Sequence, residues 1–297
     1  MASGIWVSVS GAAAQSQAVD TVANNLANAD TIGFKKDQPT FKEYLATVER
    51  DHGSVDIPRG PIKNKELYPL DGRDQSFVVV DGTYTNFKPG PLRVTQSPLD
   101  IAMDGPGLLE VSTPQGIRYT RQGSLKVAID GNLVTSEGYP VLSSRPGGLA
   151  QPGLAGAART PAGQFPIDQA ATAAQAQADA AGRFINLRDR GTQLTINNAG
   201  ELYAGDQLIA KLSVAEFHDL NGLRKTGGGM FENKDPANVA EPQKTVVRQG
   251  MIEGSNVNPI EEMTNLIKAN RLFEEDLKAM KTYGELLGRE ANDIGKL

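Results

Sequence analysis

The chain has 297 residues and a formal net charge of −5 at pH 7, so it is long enough for two domains and a sizeable core. Its lysines and arginines do not cluster, which leaves no footprint for a nucleic acid, and no apolar run approaches the ~20 residues that span a bilayer. There is no cysteine and there are only two histidines, His52 and His218, which excludes disulfides and Cys-ligated metals and argues against a histidine-based metal or catalytic site.

The first thirty residues carry apolar and small side chains in alternating steps of four and three. This spacing predicts a helix with one narrow stripe, which needs a partner helix to be stable. The segment lacks a basic start and a solid apolar block, so we expect no cleaved signal peptide. The predicted stripe consists of Ile5, Val9, Ala12, Ser16, Val19, Ala23 and Leu26.

An asparagine-rich segment follows this helix and ends at Gly33. Asn24, Asn25 and Asn28 are poor helix formers because their amides compete with the backbone for hydrogen bonds. Asn24 and Asn28 stand one turn apart and so share a face. Two interpretations remain open: a helix end that frays up to Gly33, or an amide-lined patch that hydrogen-bonds another subunit.

The segment after this motif is polar and mixed. Phe41, Tyr44 and Leu45 have the spacing to extend a short helix, and a proline-containing stretch then indicates extended chain and turns. We therefore predict an N-terminal helical arm at residues 1–45 and an extended linker at residues 46–75.

From Phe77 the pattern changes to short β-prone runs separated by turn residues, the first at Asp81-Gly82, which predicts a hairpin. Regular short strands predict an antiparallel sandwich or barrel, which we assign to residues 76–248. Two glycine-rich stretches, at residues 104–107 and beside Lys225, lack the order of a phosphate-binding loop and are predicted to be turns.

Three basic residues of this domain, Arg118, Arg121 and Lys126, lie on alternating predicted strands. A site for an anion is one interpretation of such a group. We favour a solvated face, because alternating strands need not bring these side chains together.

Residues 145–182 have another composition, rich in Ala, Gly, Pro and Gln and almost without large apolar side chains. Such a segment buries too little surface to offset the entropy of ordering it. We interpret it as a low-complexity insert and favour a disordered loop on the outside of an assembly over an extra contact.

The last forty residues, from Asn258 to Leu297, carry an uninterrupted stripe in steps of three and four. Ser255 and Asn256 can cap this helix, Pro259 suits its first turn, and two glutamates follow. About 37 residues at 1.5 Å each give a rod of roughly 55 Å, which favours a partner over a hairpin that closes one globular domain. The stripe runs through Met263, Leu266, Asn270, Phe273, Leu277, Met280, Gly284, Leu287, Ala291 and Ile294.

Three segments carry a resemblance to a known family. Residues 23–36, "ANNLANADTIGFKK", closely resemble the N-terminal motif of bacterial flagellar axial proteins, the rod, hook and hook-associated proteins. Residues 98–142 resemble the central signature of the rod-and-hook family, and residues 249–280 resemble its C-terminal signature. The run "EGSNVNPIEEMT" is most similar to the proximal rod protein, with the distal rod protein next. The family usually passes quickly from the "GYPVL" strand to the next strand, so residues 145–182 depart from its pattern.

The resemblance implies an α+β fold in which long N- and C-terminal helices pair as a coiled coil and enclose a central antiparallel β-rich domain, with a C-terminal helical arm at residues 249–297. It implies a structural subunit, not an enzyme, with no cofactor, no metal and no small-molecule or nucleic-acid partner. The subunit would leave the cell unfolded through the flagellar type III export apparatus and polymerise with itself and other axial proteins in the periplasm. The predicted subunit-interface residues are Asn24, Asn25, Leu26, Asn28, Gly33, Phe34, Ser255, Asn256, Val257, Glu261, Glu262, Met263, Phe273, Leu277 and Met280.

Other functions are compatible with parts of the sequence. A distal rod protein or a hook-type axial protein would share the same three segments. A secreted β-sandwich adhesin or carbohydrate-binding module would need exposed aromatic platforms, and an aromatic content of 6% offers little for one. A subunit of an open helical filament is favoured over a binding module, because helix edges that fit a neighbouring subunit head-to-tail generate such a filament.

Overall fold

The computed structural model describes residues 2–46, 75–145, 180, 182–188 and 194–294. Its two long helices are α1 (Ala2–Ala27) and α2 (Pro259–Ile294). The predicted α+β fold, with helices toward both ends of the chain and antiparallel strands between them, is confirmed. The strands of the described ranges are, in order, β1 (Asp37–Ala46), β2 (Gln75–Thr85), β3 (Leu92–Val94), β4 (Ile101–Asp104), β5 (Leu108–Thr113), β6 (Gly116–Thr120), β7 (Leu125–Val127), β8 (Leu133–Thr135), β9 (Leu194–Ile196), β10 (Glu201–Ala204), β11 (Gln207–Lys211), β12 (Val214–Phe217), β13 (Leu223–Gly227), β14 (Met230–Asn233), β15 (Val239–Ala240), β16 (Val246–Gln249) and β17 (Met251–Glu253).

The chain forms two compact units. The helical unit comprises Met1–Asn24, Asp37–Tyr84 and Pro259–Leu297, and the β-rich unit comprises Asn25–Lys36 and Thr85–Asn258. Each unit therefore combines segments from distant parts of the sequence, and both helices are continuous in sequence with the β-rich unit.

The β-rich unit is built around a six-stranded sheet of order β13-β14-β6-β5-β12-β15, in which neighbouring strands are antiparallel. Strand β5 is buried on both faces, because its alternate side chains enter different cores. Leu109 and Val111 belong to a large core that also contains Leu202 and Val247, whereas Leu108 belongs to a smaller aromatic core. A three-stranded sheet, β11-β10-β9, contributes to the large core.

The two ends of the predicted insert meet at this sheet. The amide of Ser143 donates to the carbonyl of Arg183 at 2.8 Å, and Arg183 Nε donates to the carbonyl of Ser143 at 2.8 Å. The Arg183 guanidinium pairs with the buried carboxylate of Glu110 on β5. Residues 146–179 and 181 of the predicted insert lie outside the described residues.

In the helical unit, β1 and β2 form a two-stranded sheet, which corrects two predictions. Phe41, Tyr44 and Leu45 lie in β1 and not in a helix. Asp81-Gly82 is no hairpin turn, because both residues lie inside β2, where Asp81 receives a hydrogen bond from Lys42 at 2.7 Å. Strand pairing between distant segments has overridden the local spacing here. The predicted linker at residues 46–75 lies almost entirely outside the described residues.

The buried face of α2 differs from the predicted stripe at alternate positions. Met263, Asn270 and Leu277 are exposed, while the residues just before them, Glu262, Ala269 and Asp276, are buried or half-buried. The less exposed face thus includes polar side chains, which a pattern of apolar residues does not detect. On α1, the predicted stripe residues Ser16 and Ala23 are likewise exposed, whereas Ala14 and Thr21 are buried.

The two helices approach each other closely at one small residue. A Cβ placed on Gly11 of α1 would lie 3.1 Å from Asp276 Oδ2 of α2, so any side chain at Gly11 would crowd this carboxylate. Among the helices of the described ranges, none has the length and apolarity that crossing a membrane requires.

Candidate assembly interface

The structure brings two groups of predicted interface residues together within the β-rich unit. The segment that leaves α1 runs alongside the residues that precede α2. The amide of Gly33 donates to the carbonyl of Glu253 at 2.8 Å, and the amide of Lys36 donates to Asn256 Oδ1 at 2.7 Å. The amide of Asn256 also donates to the carbonyl of Phe34 at 3.4 Å, so Phe34 contacts Asn256 of its own subunit, while Gly33 contacts the nearby Glu253.

Asn256 connects three segments with one amide. Besides accepting from Lys36, its Nδ2 donates to the carbonyls of Asn86 at 2.8 Å and Lys88 at 3.0 Å. Helix α2 begins at Pro259, so neither Ser255 nor Asn256 occupies the cap position next to it, and the predicted capping role is wrong. Ser255 Oγ instead accepts from the amide of Val257 at 3.2 Å, and both residues are buried.

Gly33 is required by its backbone and by its surroundings. Its φ of +69° lies in the left-handed region, which favours glycine. A Cβ at this position would lie 2.5 Å from the carbonyl carbon of Arg121. The adjacent Phe34 is buried beneath the ammonium of Lys225. The end of the N-terminal motif is thus packed into its own β-rich unit.

Of the asparagines before it, Asn24 and Asn25 lie in the last turn of α1, and Asn28 lies in the tight turn that follows. The amide of Asn28 donates to the carbonyl of Asn25 at 3.1 Å, and Thr31 Oγ1 donates to Asn28 Oδ1 at 3.1 Å. Asn25 is buried, Asn28 and Leu26 are half-buried, and Asn24 is exposed. Of the predicted amide-lined patch, Asn24 thus offers the most surface to another molecule.

A buried charged cluster, formed by Lys35, Arg121 and Glu253, lies beside this junction. Lys35 Nζ is 2.6 Å from Glu253 Oε1, and Arg121 NH1 is 3.2 Å from Glu253 Oε2. All three side chains are at most 3% exposed. The prediction that Arg121 belongs to a solvated face is wrong, because this arginine is enclosed by three distant segments; Lys126 is exposed, and Arg118 pairs with Glu232.

The charged cluster contains two cations and one carboxylate. Burial lowers the pKa of Lys35, and Glu253 opposes that shift while Arg121 adds to it. Burial also lowers the pKa of Arg121, again against the attraction of Glu253. Backbone groups complete the environment: Lys35 Nζ donates to the carbonyl of Lys88 at 2.9 Å, the amide of Gly90 donates to Glu253 Oε1 at 2.8 Å, and Arg121 donates to the carbonyls of Met103 and Gly105.

Spacing in the sequence gives no sign of this cluster, because its members are separated by most of the chain. The sequence does place two ionisable residues close to glycines within the family motifs: Lys35 lies two positions after Gly33, and Glu253 directly precedes Gly254. A charge beside a required glycine is consistent with close backbone packing, but it does not identify the partner.

The remaining predicted interface residues lie on α2 and differ in exposure. Glu261, Met263 and Leu277 are exposed, Phe273 and Met280 are half-buried, and Glu262 is buried. The first three turns of α2 also expose Ile260, at 77%, and Ile267, at 55%. Within the described residues, no three acidic or histidine side chains converge in a way that could hold a metal ion.

Comparison with known proteins places family models at both ends and in the middle of the chain. Residues 5–35 match the model "Flagella basal body rod protein", residues 102–204 match "Flagellar hook protein FlgE/F/G D1 domain", and residues 248–294 match "Flagellar basal body rod FlgEFG protein C-terminal". Together these matches span more than half of the chain.

Several relatives align over nearly the full length. The flagellar basal-body rod protein FlgG of Borreliella burgdorferi is 28% identical over 294 residues, covering 96% of each chain. FlgF of Caulobacter vibrioides is 29% identical over 283 residues, covering 94% of this chain and 92% of the relative. FlgG of Bacillus subtilis is 26% identical over 281 residues, covering 92% of each chain.

Terminal helices, a central antiparallel β-rich unit and these matches define a structural protein of the flagellar axis. The chain belongs to the flagellar basal-body rod protein family. The three matched segments meet at the charged cluster, since Lys35 lies in the first, Arg121 in the second and Glu253 in the third.

Proposed function

We propose that this chain is a structural subunit of the flagellar basal-body rod that polymerises through its terminal helices in the periplasm. Its partners are further copies of itself and other axial proteins. It reaches the periplasm unfolded through the flagellar type III export apparatus, and the role needs no catalytic residue, cofactor or nucleic acid. We assign it to the proximal rod, with the distal rod or a hook-type position as the alternative.

The observation that carries the polymerisation proposal is an exposed apolar stripe on α2. Ile260, Met263 and Ile267 follow one another in steps of three and four and are 77%, 52% and 55% exposed. A long helix with such a stripe is stabilised when a neighbouring subunit covers it. Coiled-coil pairing of α1 with α2 along their lengths is part of the proposal, and the close approach at Gly11 and Asp276 supports it.

The predicted interface residues divide into two roles under this proposal. Asn24, Glu261, Met263 and Leu277 are exposed and contact a neighbouring subunit directly. The others support the interface from within their own subunit: Asn25, Leu26, Asn28, Gly33, Phe34, Ser255, Asn256, Val257, Glu262, Phe273 and Met280. The predicted division into arms at residues 1–45 and 249–297, a linker at 46–75 and a β-rich domain at 76–248 is retained as a proposal.

A charge placed on α2 tests this function. Leu277→Asp with Met280→Asp should abolish rod assembly and motility while leaving the β-rich unit folded, because buried carboxylates in a subunit contact are costly. Leu272→Asp is the matched control: Leu272 is exposed to a similar extent, 47% against 43% for Leu277, but lies outside the predicted stripe. Normal motility of the double variant would refute polymerisation through this face.

The axial position is tested separately. Electron microscopy of basal bodies from a strain that lacks the gene would show where assembly stops. An arrest before any distal rod is formed supports the proximal assignment, and an arrest after the proximal rod supports the distal alternative.

A further inference from the structure

The charged cluster joins parts of the chain that are far apart. Lys35 follows α1, Arg121 follows β6, and Glu253 ends β17, with 218 positions between Lys35 and Glu253. Two of the three side chains are cations, and no other carboxylate within the described residues forms an ion pair with either.

Glu253 is therefore the counter-charge for both cations. Without it, Lys35 and Arg121 would have to lose water while carrying like charges in the same interior, which is strongly unfavourable. The pKa values of Lys35 and Arg121 are both lowered, because burial disfavours the charged forms. Glu253 is the group that favours the charged form of each.

Glu253 also holds the backbone of the surrounding segments. Its carbonyl accepts from Gly33, its carboxylate accepts from Gly90, and the amide of the next residue, Gly254, donates to the carbonyl of Pro91 at 2.8 Å. A Cβ on Gly90 would lie 2.1 Å from the carbonyl oxygen of Gly254, so the two backbones are in direct contact. The segment around Gly33 and the segment around Gly90 thus both pack on the strand that carries Glu253.

We propose that Glu253 holds the β-rich unit closed: the segment at residues 33–36 and the guanidinium of Arg121 dock on the carboxylate that β17 supplies, and the charged cluster forms in the last step of folding. The unit is thereby kept open until the chain is present from Lys35 to Glu253. The proposal concerns the folding of one subunit and does not rest on the proposed function.

Folding kinetics of the full-length protein test this order. Glu253→Gln should lower the midpoint of thermal unfolding by about 10 °C, since one partner of a buried ion pair is lost. If the cluster forms last, the folding rate constant should change less than about twofold, while the unfolding rate constant rises about a hundredfold or more. Glu232→Gln, in the partly exposed pair with Arg118, is the control and should change both rates little.

Two further variants keep the test decisive if Glu253→Gln does not fold. Lys35→Met leaves Glu253 paired with Arg121 alone, so this variant should fold. Its loss of stability should appear as a faster unfolding rate, with the folding rate nearly unchanged. Lys35→Met combined with Glu253→Gln should be more stable than Glu253→Gln alone, because one of the two unpaired cations is gone. A folding rate that falls in proportion to stability, or a Glu253→Gln protein as stable as the wild type, would overturn the proposal.

Discussion

Lys225 Nζ lies 3.8 Å from the centre of the Phe34 ring and donates a hydrogen bond to the carbonyl of Lys35 at 2.9 Å. One ammonium on β13 thus contacts both the ring and the backbone of the N-terminal motif. An ammonium over an aromatic face is attracted by the ring quadrupole, and partial burial strengthens that attraction. This contact stabilises the packing of the N-terminal motif against the six-stranded sheet.

Replacing Lys225 with Met should lower the free energy of unfolding of the full-length protein by about 2 kcal/mol, since it removes the cation–π contact and a charged hydrogen bond. Denaturant titration measures the change. Lys234→Met, at an exposed position nearby in sequence, should stay within about 0.5 kcal/mol of the wild type. Equal effects of the two substitutions would show that the Phe34 contact contributes nothing.

Gly33→Ala should destabilise the protein by at least about 3 kcal/mol, because the new methyl group adds a clash with Arg121 to the strain of a positive φ. Gly205→Ala separates the two effects. Gly205 has a φ of +61° with no atom within 4 Å of an added Cβ, so only the backbone strain of about 1 kcal/mol should appear. Chemical denaturation of both variants gives the comparison, and a Gly33 variant no worse than the Gly205 variant would contradict the close packing.

Arg183→Met should cost about 3–5 kcal/mol, because it leaves the carboxylate of Glu110 buried without its cation. Ser213 Oγ still donates to Glu110 Oε2 at 2.7 Å and limits the loss. Arg248→Met provides the control, since its pair with Asp104 is about half exposed on both sides and is worth no more than about 1 kcal/mol. The prediction fails if thermal or denaturant unfolding ranks the two variants in the opposite order.

The pH dependence of stability should carry the signature of Lys35. Burial lowers its pKa below the ordinary 10.5, so the unfolded chain binds more protons than the folded chain between the lowered value and 10.5. The free energy of unfolding due to this group therefore rises with pH through that window and reaches its full value above 10.5.

Unfolding of the wild type and of Lys35→Met, measured from neutral pH upward, isolates this contribution, because other lysines titrate equally in both. As the pH rises, the free energy of unfolding of the wild type should increase relative to that of Lys35→Met. A difference that is constant with pH, or one that shifts toward the variant, would be inconsistent with a depressed pKa.

The arrangement of helices and strands could be predicted because both depend on local periodicity. Steps of three and four identified α1 and α2, and β-prone runs between turn residues identified the antiparallel sheets. The same local method failed at Phe41, Tyr44 and Leu45, which lie in β1 because β2 is available to pair with them. A partner strand about thirty residues away leaves no trace in the spacing of a short segment.

The junction between the termini was predicted only in part. Gly33, Phe34 and Asn256 are predicted interface residues, and the contacts described for them within one chain leave that prediction a proposal. Arg121 was missed because alternation along strands suggests exposure, whereas its environment is decided by residues that precede β1 and follow β16. The less exposed face of α2 includes Glu262 and Asp276, which the predicted apolar stripe leaves out. A pattern of apolar residues cannot show which carboxylates pack against a neighbouring element.

Ser143 and Arg183 exchange two hydrogen bonds, so the two ends of the predicted insert lie side by side before β9 begins. Closing a loop between two fixed points costs only about 0.6 kcal/mol more for each doubling of its length. This position is therefore a natural graft point, because a fluorescent or affinity sequence introduced between these two fixed residues adds little to the entropic cost of closing the loop.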